Sequence, residues 1–269
     1  MNQITLVPTA GLCNRINAIS SAMYLYRSCP IPFEIYWEKS KGCCAYFTDL
    51  FEPIEGFNIY PLTRFYLKPG SRKNLFLPDF FRKFHFDACY RGHEISDMDF
   101  CSLIKGKERI YVTSSNRFCQ GEETKSLHRY FVPIKELSNK IKTITDSYPN
   151  NTIGVHVRRT DNIDAIKNNP IEYFYSQMDM EIAKHKDTCF YLATDSIKVK
   201  TEMTKRYSGK IISQNLSLSR NNVKGMQDAV IDLYCLATTK KIIGCTDSTY
   251  SIVASRLFNA VLQTNNMQI

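Results

Sequence analysis

The sequence contains no run approaching the ~20 apolar residues that cross a bilayer, and Met1-Asn2-Gln3 does not begin a basic-then-apolar leader. Neither a membrane span nor a secretory signal is therefore expected. It has no CxxC pair and no Cys/His set at zinc spacing. Cys43 and Cys44 are adjacent, and His85, His93, His128 and His185 have no neighbour at metal or triad spacing. A full GxGxxG is missing, as is a Walker A sequence, which removes the usual marks of a dinucleotide oxidoreductase and a P-loop NTPase. Internal repeats, heptads and low-complexity segments are also lacking, so solenoids and rods are excluded.

What remains is an ordinary globular balance over 269 residues, 43% hydrophobic and 23% charged, room for one large domain or two modest ones. Lys plus Arg number 35 against 26 acids, a net charge of +9. That suits an anionic partner such as nucleic acid, a nucleotide phosphate or an acidic membrane, without choosing among them. Ten cysteines do not make a disulfide scaffold of so long a chain. Cys189, Cys235 and Cys245 sit in apolar runs, where a thiol behaves as a small buried hydrophobe. The expectation is a reduced, cytoplasmic protein.

The first forty residues read as strand (Ile4 to Val7), turn (Thr9-Ala10-Gly11), helix (Ile16, Ile19, Met23, Tyr26) and strand (Phe33 to Trp37), a βαβ signature. Between Leu62 and Arg91, seven basic residues face two acids, and eight aromatics are interleaved. This segment is either an acceptor-binding, membrane-surface or nucleic-acid patch, or a solvated basic face over an aromatic core. A helix marked by Ile134, Leu137, Ile141 and Ile144 ends before the polar break at 147–151, the best domain boundary. Beyond it, strands at 152–157, 189–193, 210–212 and 240–244 alternate with helices, predicting a doubly wound parallel domain. Two such lobes, 1–148 and 149–269, would leave a cleft, with ligands at the carboxyl ends of the strands.

The strongest chemical signal is GVHVRRTD, Gly154 to Asp161. A buried strand ends in His156, Arg158, Arg159 and Asp161, a dense set of always-charged planar donors suited to a diphosphate, with Asp161 expected to orient them. Asp232 sits among apolar helix residues. It either receives a donor pair such as guanine offers or pairs with a lysine such as Lys240. Ser248 and Thr249 read as a helix N-cap, which itself turns amides toward an anion.

GVHVRRTD followed by PIEYF (Pro170 to Phe174) resembles the donor-binding motif of the α1,6-fucosyltransferases of core N-glycan and nodulation type. The resemblance continues through YLATDS (Tyr191 to Ser196), AVIDLYCLA (Ala229 to Ala237) and GCTDST (Gly244 to Thr249). GLCNR (Gly11 to Arg15) is loosely similar to a GxGNR/Q loop of several fucosyltransferase families. The resemblance implies a GT-B glycosyltransferase with two Rossmann-like α/β lobes. It would move fucose from GDP-fucose to a glycan or glycolipid hydroxyl with inversion and without metal or other cofactor. Arg158 and Arg159 would hold the β-phosphate, and His156 would lie beside the nucleotide. Asp232 would read guanine, and Ser248, Thr249 and Tyr250 would contact diphosphate and ribose. Gly11, Asn14 and Arg15 would close over the phosphates from the other lobe.

The chain departs from the pattern after Asp161, where Asn162 and Asp164 replace the family's Lys and Glu. Asp164, the only carboxylate of that loop, is the candidate base. Asp97-Met98-Asp99 spells a DxD metal motif but is weak evidence for one. The alternatives are an α1,2- or protein O-fucosyltransferase, another GDP-sugar transferase, or, from a different class, a non-catalytic nucleotide- or RNA-binding protein. The first reading expects no nucleic-acid partner.

Overall fold

The computed structural model describes residues 3–96, 98–119, 126–160, 163–215 and 219–265. The chain divides into two compact units, residues 1–134 with 219–226, and residues 135–218 with 227–269. The division falls before the helix Lys135–Thr145, not after it as the proline break suggested. The lead-in Ser219–Met226 groups with the first unit, where Cys44 N donates to Arg220 O at 3.1 Å. Such a returning segment leaves no mark in local sequence pattern.

In the first unit, strands β1 (Gln3–Pro8), β2 (Phe33–Trp37), β3 (Asn58–Pro61), β4 (Ala88–Arg91) and β5 (Arg109–Ser114) form one parallel sheet in the order β3-β2-β1-β5-β4. Strand β1 is apolar on both sides because helices cover both faces of such a sheet; Ile4, Leu6 and Val7 are fully buried. Helix α1 (Leu12–Ser28) is buried along most of its length and stops before Pro30, which cannot continue it. The short helices α2 (Leu77–Arg82), α3 (Gly92–Ile95) and α4 (Phe100–Ile104) complete the unit's α-helices.

The second unit opens with helix α5 (Lys135–Thr145), whose apolar stripe buries Leu137 and Ile141. Strands β6 (Thr152–Val157), β7 (Cys189–Thr194), β8 (Ile211–Ile212), β9 (Lys241–Ile243) and β10 (Val261–Gln263) make a second parallel sheet in the order β10-β9-β6-β7-β8. Helices α6 (Ile163–Asn168), α7 (Ile171–Lys184), α8 (Ile197–Arg206), α9 (Val223–Ala237) and α10 (Thr249–Phe258) connect the strands. Core residues from β6, β7, α7 and α8 include Val155, Phe174, Phe190 and Met203. Gly154 is dictated by packing: a Cβ there would lie 2.6 Å from Thr239 Oγ1 and 2.8 Å from Leu236 Cδ1, so only glycine lets the end of α9 approach β6 this closely.

The expected α/β class of two Rossmann-like doubly wound sheets is what the chain adopts. Strand order reverses between β6 and β9, and between β1 and β5. Ligands in such sheets bind at the carboxyl ends beside these switch points.

Candidate functional site

At the switch point of the second sheet, β6 delivers Arg158 and Arg159, β7 delivers Asp195, and β9 leads into the loop 244–248. Asp195 organises the cluster. Its Oδ1 accepts Arg159 N–H at 2.7 Å, its Oδ2 accepts the Thr160 hydroxyl at 2.6 Å, and Arg158 Nε lies 3.2 Å from Oδ2. Asp161, expected in that role, lies outside the described residues. Asp195 went unassigned from sequence, although it ends a strand within YLATDS, where the carboxyl-end rule points.

The two arginines are used differently. The Arg159 guanidinium donates to Arg158 O at 2.8 Å and Asn169 O at 2.7 Å, and stands 5.7 Å over the Phe174 ring. It braces the loop, whereas the phosphate role had been given to both arginines. Asn169, fully buried, is the second organiser. Its Oδ1 accepts Thr246 N–H at 2.9 Å, and so ties α7's lead-in to the loop after β9. Asn168 Nδ2 donates to Asp247 Oδ2 at 2.9 Å. Neither asparagine was singled out from the sequence; their place just before Pro170 of PIEYF was the available signal.

Ser248 is the N-cap of α10, buried, with no side-chain cap bond and no acid in the helix's first turn. Arg158 N–H donates to Cys245 Sγ at 3.3 Å and Cys245 N–H to Ser251 Oγ at 3.1 Å, which ties the start of α10 to the end of β6 that carries Arg158, a combination that favours an anion. Thr249 and Tyr250 form the first turn of α10. His156 is buried under this turn, its Nδ1 2.7 Å from Ser251 Oγ and its ring 4.7 Å from that of Tyr250. Burial first, and the Arg158 charge second, depress its pKa to about 3, so the imidazole is neutral near pH 7.

Asp232 makes no pair with Lys240. Its Oδ1 accepts the Tyr191 hydroxyl at 2.7 Å and its Oδ2 the Tyr250 hydroxyl at 3.3 Å. Burial raises its pKa to about 6, against these two hydrogen bonds, which lower it. Asp232 thus bridges Tyr191, three residues before the end of β7, and Tyr250 in the first turn of α10. Helix α9 runs antiparallel to the strands, and Asp228, equally buried, is one turn, ~6 Å, nearer the ligand end.

These two groups titrate with opposite effects on stability. The folded pKa of His156 is depressed below 6.5, so its contribution is lost as pH falls through that value. The folded pKa of Asp232 is raised above 3.8, so its protonation supports the fold as pH falls below about 6. Asp232→Asn removes only the second effect. Between pH 6.5 and 4 the variant should lose about 2 kcal/mol more unfolding free energy than wild type; parallel pH profiles in urea titrations would contradict this.

Asp164 is exposed in the first turn of α6. Of the DxD pair, Asp97 lies outside the described residues, and Asp99 caps α4, accepting Cys101 N–H at 3.2 Å. Among the described residues no three His, Cys, Asp or Glu side chains form a metal-holding group.

In the first unit, Gly11 is the N-cap of α1, which likewise has no acid in its first turn. The left-handed residue of the turn is Ala10 (φ 63°) and not Gly11, where a Cβ would meet nothing closer than 3.7 Å. Asn14 Nδ2 donates to Ser115 O at 2.6 Å. Arg15, expected on the donor, is 1% exposed and serves the interior. Nε donates to Ala10 O at 3.0 Å, Nη1 to Glu38 O and Nη2 to Ser40 Oγ at 2.7 Å, while the guanidinium stacks 4.7 Å over Trp37. A cavity of about 670 Å³ opens at the carboxyl ends of this sheet, lined among others by Thr9, Lys68, Arg91, His93 and Arg117.

No family model matches the chain, and no curated protein matches it in sequence. Solved structures do. Fucosyltransferase NodZ from Bradyrhizobium aligns with a TM-score of 0.64 at 17% identity, over 96% of this chain and 94% of that one. POFUT1 in complex with GDP aligns at 0.60 and 11% identity over 99% of both chains. A FUT1 mutant from Arabidopsis thaliana in complex with GDP gives 0.61 and 16%, covering 98% of this chain and 70% of that one. The chain therefore has the two-unit α/β fold of the GT-B fucosyltransferases.

Proposed function

We propose that this protein is a fucosyltransferase that moves L-fucose from GDP-fucose to a hydroxyl of a glycan or glycolipid. The observation that carries this reading is the placement of Arg158, held by Asp195, and of the N-terminus of α10 at the switch point of the second sheet. A NodZ crystal soaked with GDP-fucose shares the fold. The acceptor oxygen attacks the anomeric carbon as the bond to the β-phosphate breaks, which inverts the centre. Arg158 and the α10 amides meet the charge that builds on departing GDP, and this supports a metal-independent mechanism. Asp228, on the ligand side of Asp232, is the better placed carboxylate to accept the paired N–H donors of guanine. The cavity of the first unit is the acceptor's seat.

The test is calorimetry with GDP, UDP and ADP, followed by release of GDP from GDP-fucose. Preference for GDP, weakened by Asp228→Asn and not by Asp232→Asn, supports the reading. Equal binding of all three nucleotides, or none, would remove it and leave a binding module or a different transferase.

Asp164 is the proposed base. Asp164→Asn should leave GDP affinity intact and lower turnover by ~10²–10⁴-fold, read as donor hydrolysis while the acceptor is unknown. Equal rates in the two proteins would mean that the proton leaves by another group.

A further inference from the structure

In the basic and aromatic segment of the first unit, Tyr66 and Phe86 pack against the core beside Tyr111, while five phenylalanines face outward. Leu75 is 76% exposed, Phe84 68% and Phe80 55%, and Phe65, Phe76 and Phe81 are each more than 40% exposed. Phe80 packs against Phe81 and Phe84 at 5.6 and 5.5 Å between centroids, and Phe65 against Phe81 at 6.3 Å, so the rings form one patch. Contiguous apolar surface of this kind marks an interaction site.

The platform beneath is fixed. Arg82 is buried under α2; its Nε donates to Tyr66 O at 3.0 Å, its Nη2 to Lys68 O at 2.8 Å and to Asp79 Oδ1 at 2.7 Å, and it stands 4.0 Å over the Tyr111 ring. Just before α2, Leu75 and Phe76 both adopt left-handed backbone, φ 52° and 54°. Bulky residues enter that region only at a cost, and here both side chains end in solvent.

Within residues 64–84 the exposed charge is cationic. Arg64, Arg72, Lys73 and Lys83 are exposed, and the only acid in residues 64–84, Asp79, is paired with Arg82. Phenylalanines ringed by Lys and Arg match the boundary of an anionic bilayer, where rings enter the acyl region and cations meet the headgroups. Among the described residues no helix is long and apolar enough to cross a membrane, so contact through this patch is peripheral. We propose that residues 64–84 form a docking surface for an anionic lipid bilayer. Lys68, Ser71 and Asn74 of the same segment line the cavity of the first unit, which places that cavity's mouth next to the lipid surface.

The proposal stands apart from the donor reading and is tested with the full chain. Vesicles of phosphatidylcholine, plain or with roughly one-third phosphatidylglycerol, are sedimented with the protein. The protein should pellet with the anionic vesicles and stay in solution with the neutral ones. Its partitioning should fall ~10-fold or more in Phe80→Ser/Phe84→Ser, each exposed ring contributing of that order, and also in Lys73→Glu/Lys83→Glu. Both variants should keep the wild-type melting temperature, since the substituted side chains face solvent. Protein that stays in solution with anionic vesicles overturns the proposal. So does binding unaltered in both variants. Concentration-dependent self-association abolished by Phe80→Ser/Phe84→Ser, without vesicle binding, would assign the patch to a second copy of the chain instead.

Discussion

Arg158→Ala should weaken GDP binding by about 2–5 kcal/mol, the largest ligand effect expected of any single substitution in this protein. Its guanidinium is mostly buried and held at 3.2 Å by Asp195, at the strand end that Cys245 ties to the start of α10. Removing it takes a fixed positive charge from a largely buried site, and leaves Asp195 facing the phosphate with only Arg159 N–H and the Thr160 hydroxyl as partners. Arg159→Lys should behave differently. Lysine cannot reproduce the forked contact with Arg158 O and Asn169 O, so folding stability should drop by about 1–2 kcal/mol, with GDP affinity within a few-fold of wild type. Calorimetry and thermal melts on the same samples separate the two outcomes. Unchanged GDP affinity in Arg158→Ala would remove the phosphate site from the end of β6.

Arg15→Ala should destabilise the first unit by about 3–5 kcal/mol. The side chain is buried, and desolvation pulls its pKa below the usual arginine value; the charge is tolerated only because Ala10 O, Glu38 O and Ser40 Oγ surround it. Truncation leaves these acceptors without their donor and opens a void against Trp37. Calorimetric unfolding should show a transition lowered by roughly 10 °C, taking a few degrees per kcal/mol for a domain of this size. Arg15→Lys should recover only part, because one ammonium cannot reach three directions. Loss of GDP affinity with unchanged melting would instead return Arg15 to the donor site suggested by GLCNR.

The contrast between Arg158 and Arg15 shows what could be read in advance. Both are arginines in a fucosyltransferase-like motif, and sequence placed both on the donor. Arg158 follows a run of apolar residues that must be a buried strand, so its place at the strand's carboxyl end is a consequence of local pattern. Arg15 occupies the second turn of a helix that is buried on nearly all sides, and only the packing of β2 against that helix reveals that its guanidinium points inward. Asp195 and Asn169 escaped notice for the same reason: their roles exist only once β6, β7 and the 244–248 loop are neighbours.

The regular βα alternation after residue 150, the α/β class and the crowding of charge at the end of β6 were determined by the sequence itself, because hydrophobic period and strand-end chemistry are local. Five features needed tertiary structure. These were the insertion of β5 between β1 and β4, the return of 219–226 to the first unit, the bracing of Arg159, the burial of Asp232 behind two tyrosines, and the outward phenylalanines of residues 65–84. The last is the clearest case, since interleaved cations and phenylalanines have the same composition whether the rings line a core or cover a surface. The left-handed turn at Leu75-Phe76 and the Arg82 anchor under α2 settle which way they face, and the anchor arises from contacts with Tyr66, Lys68 and Tyr111, far away in the chain.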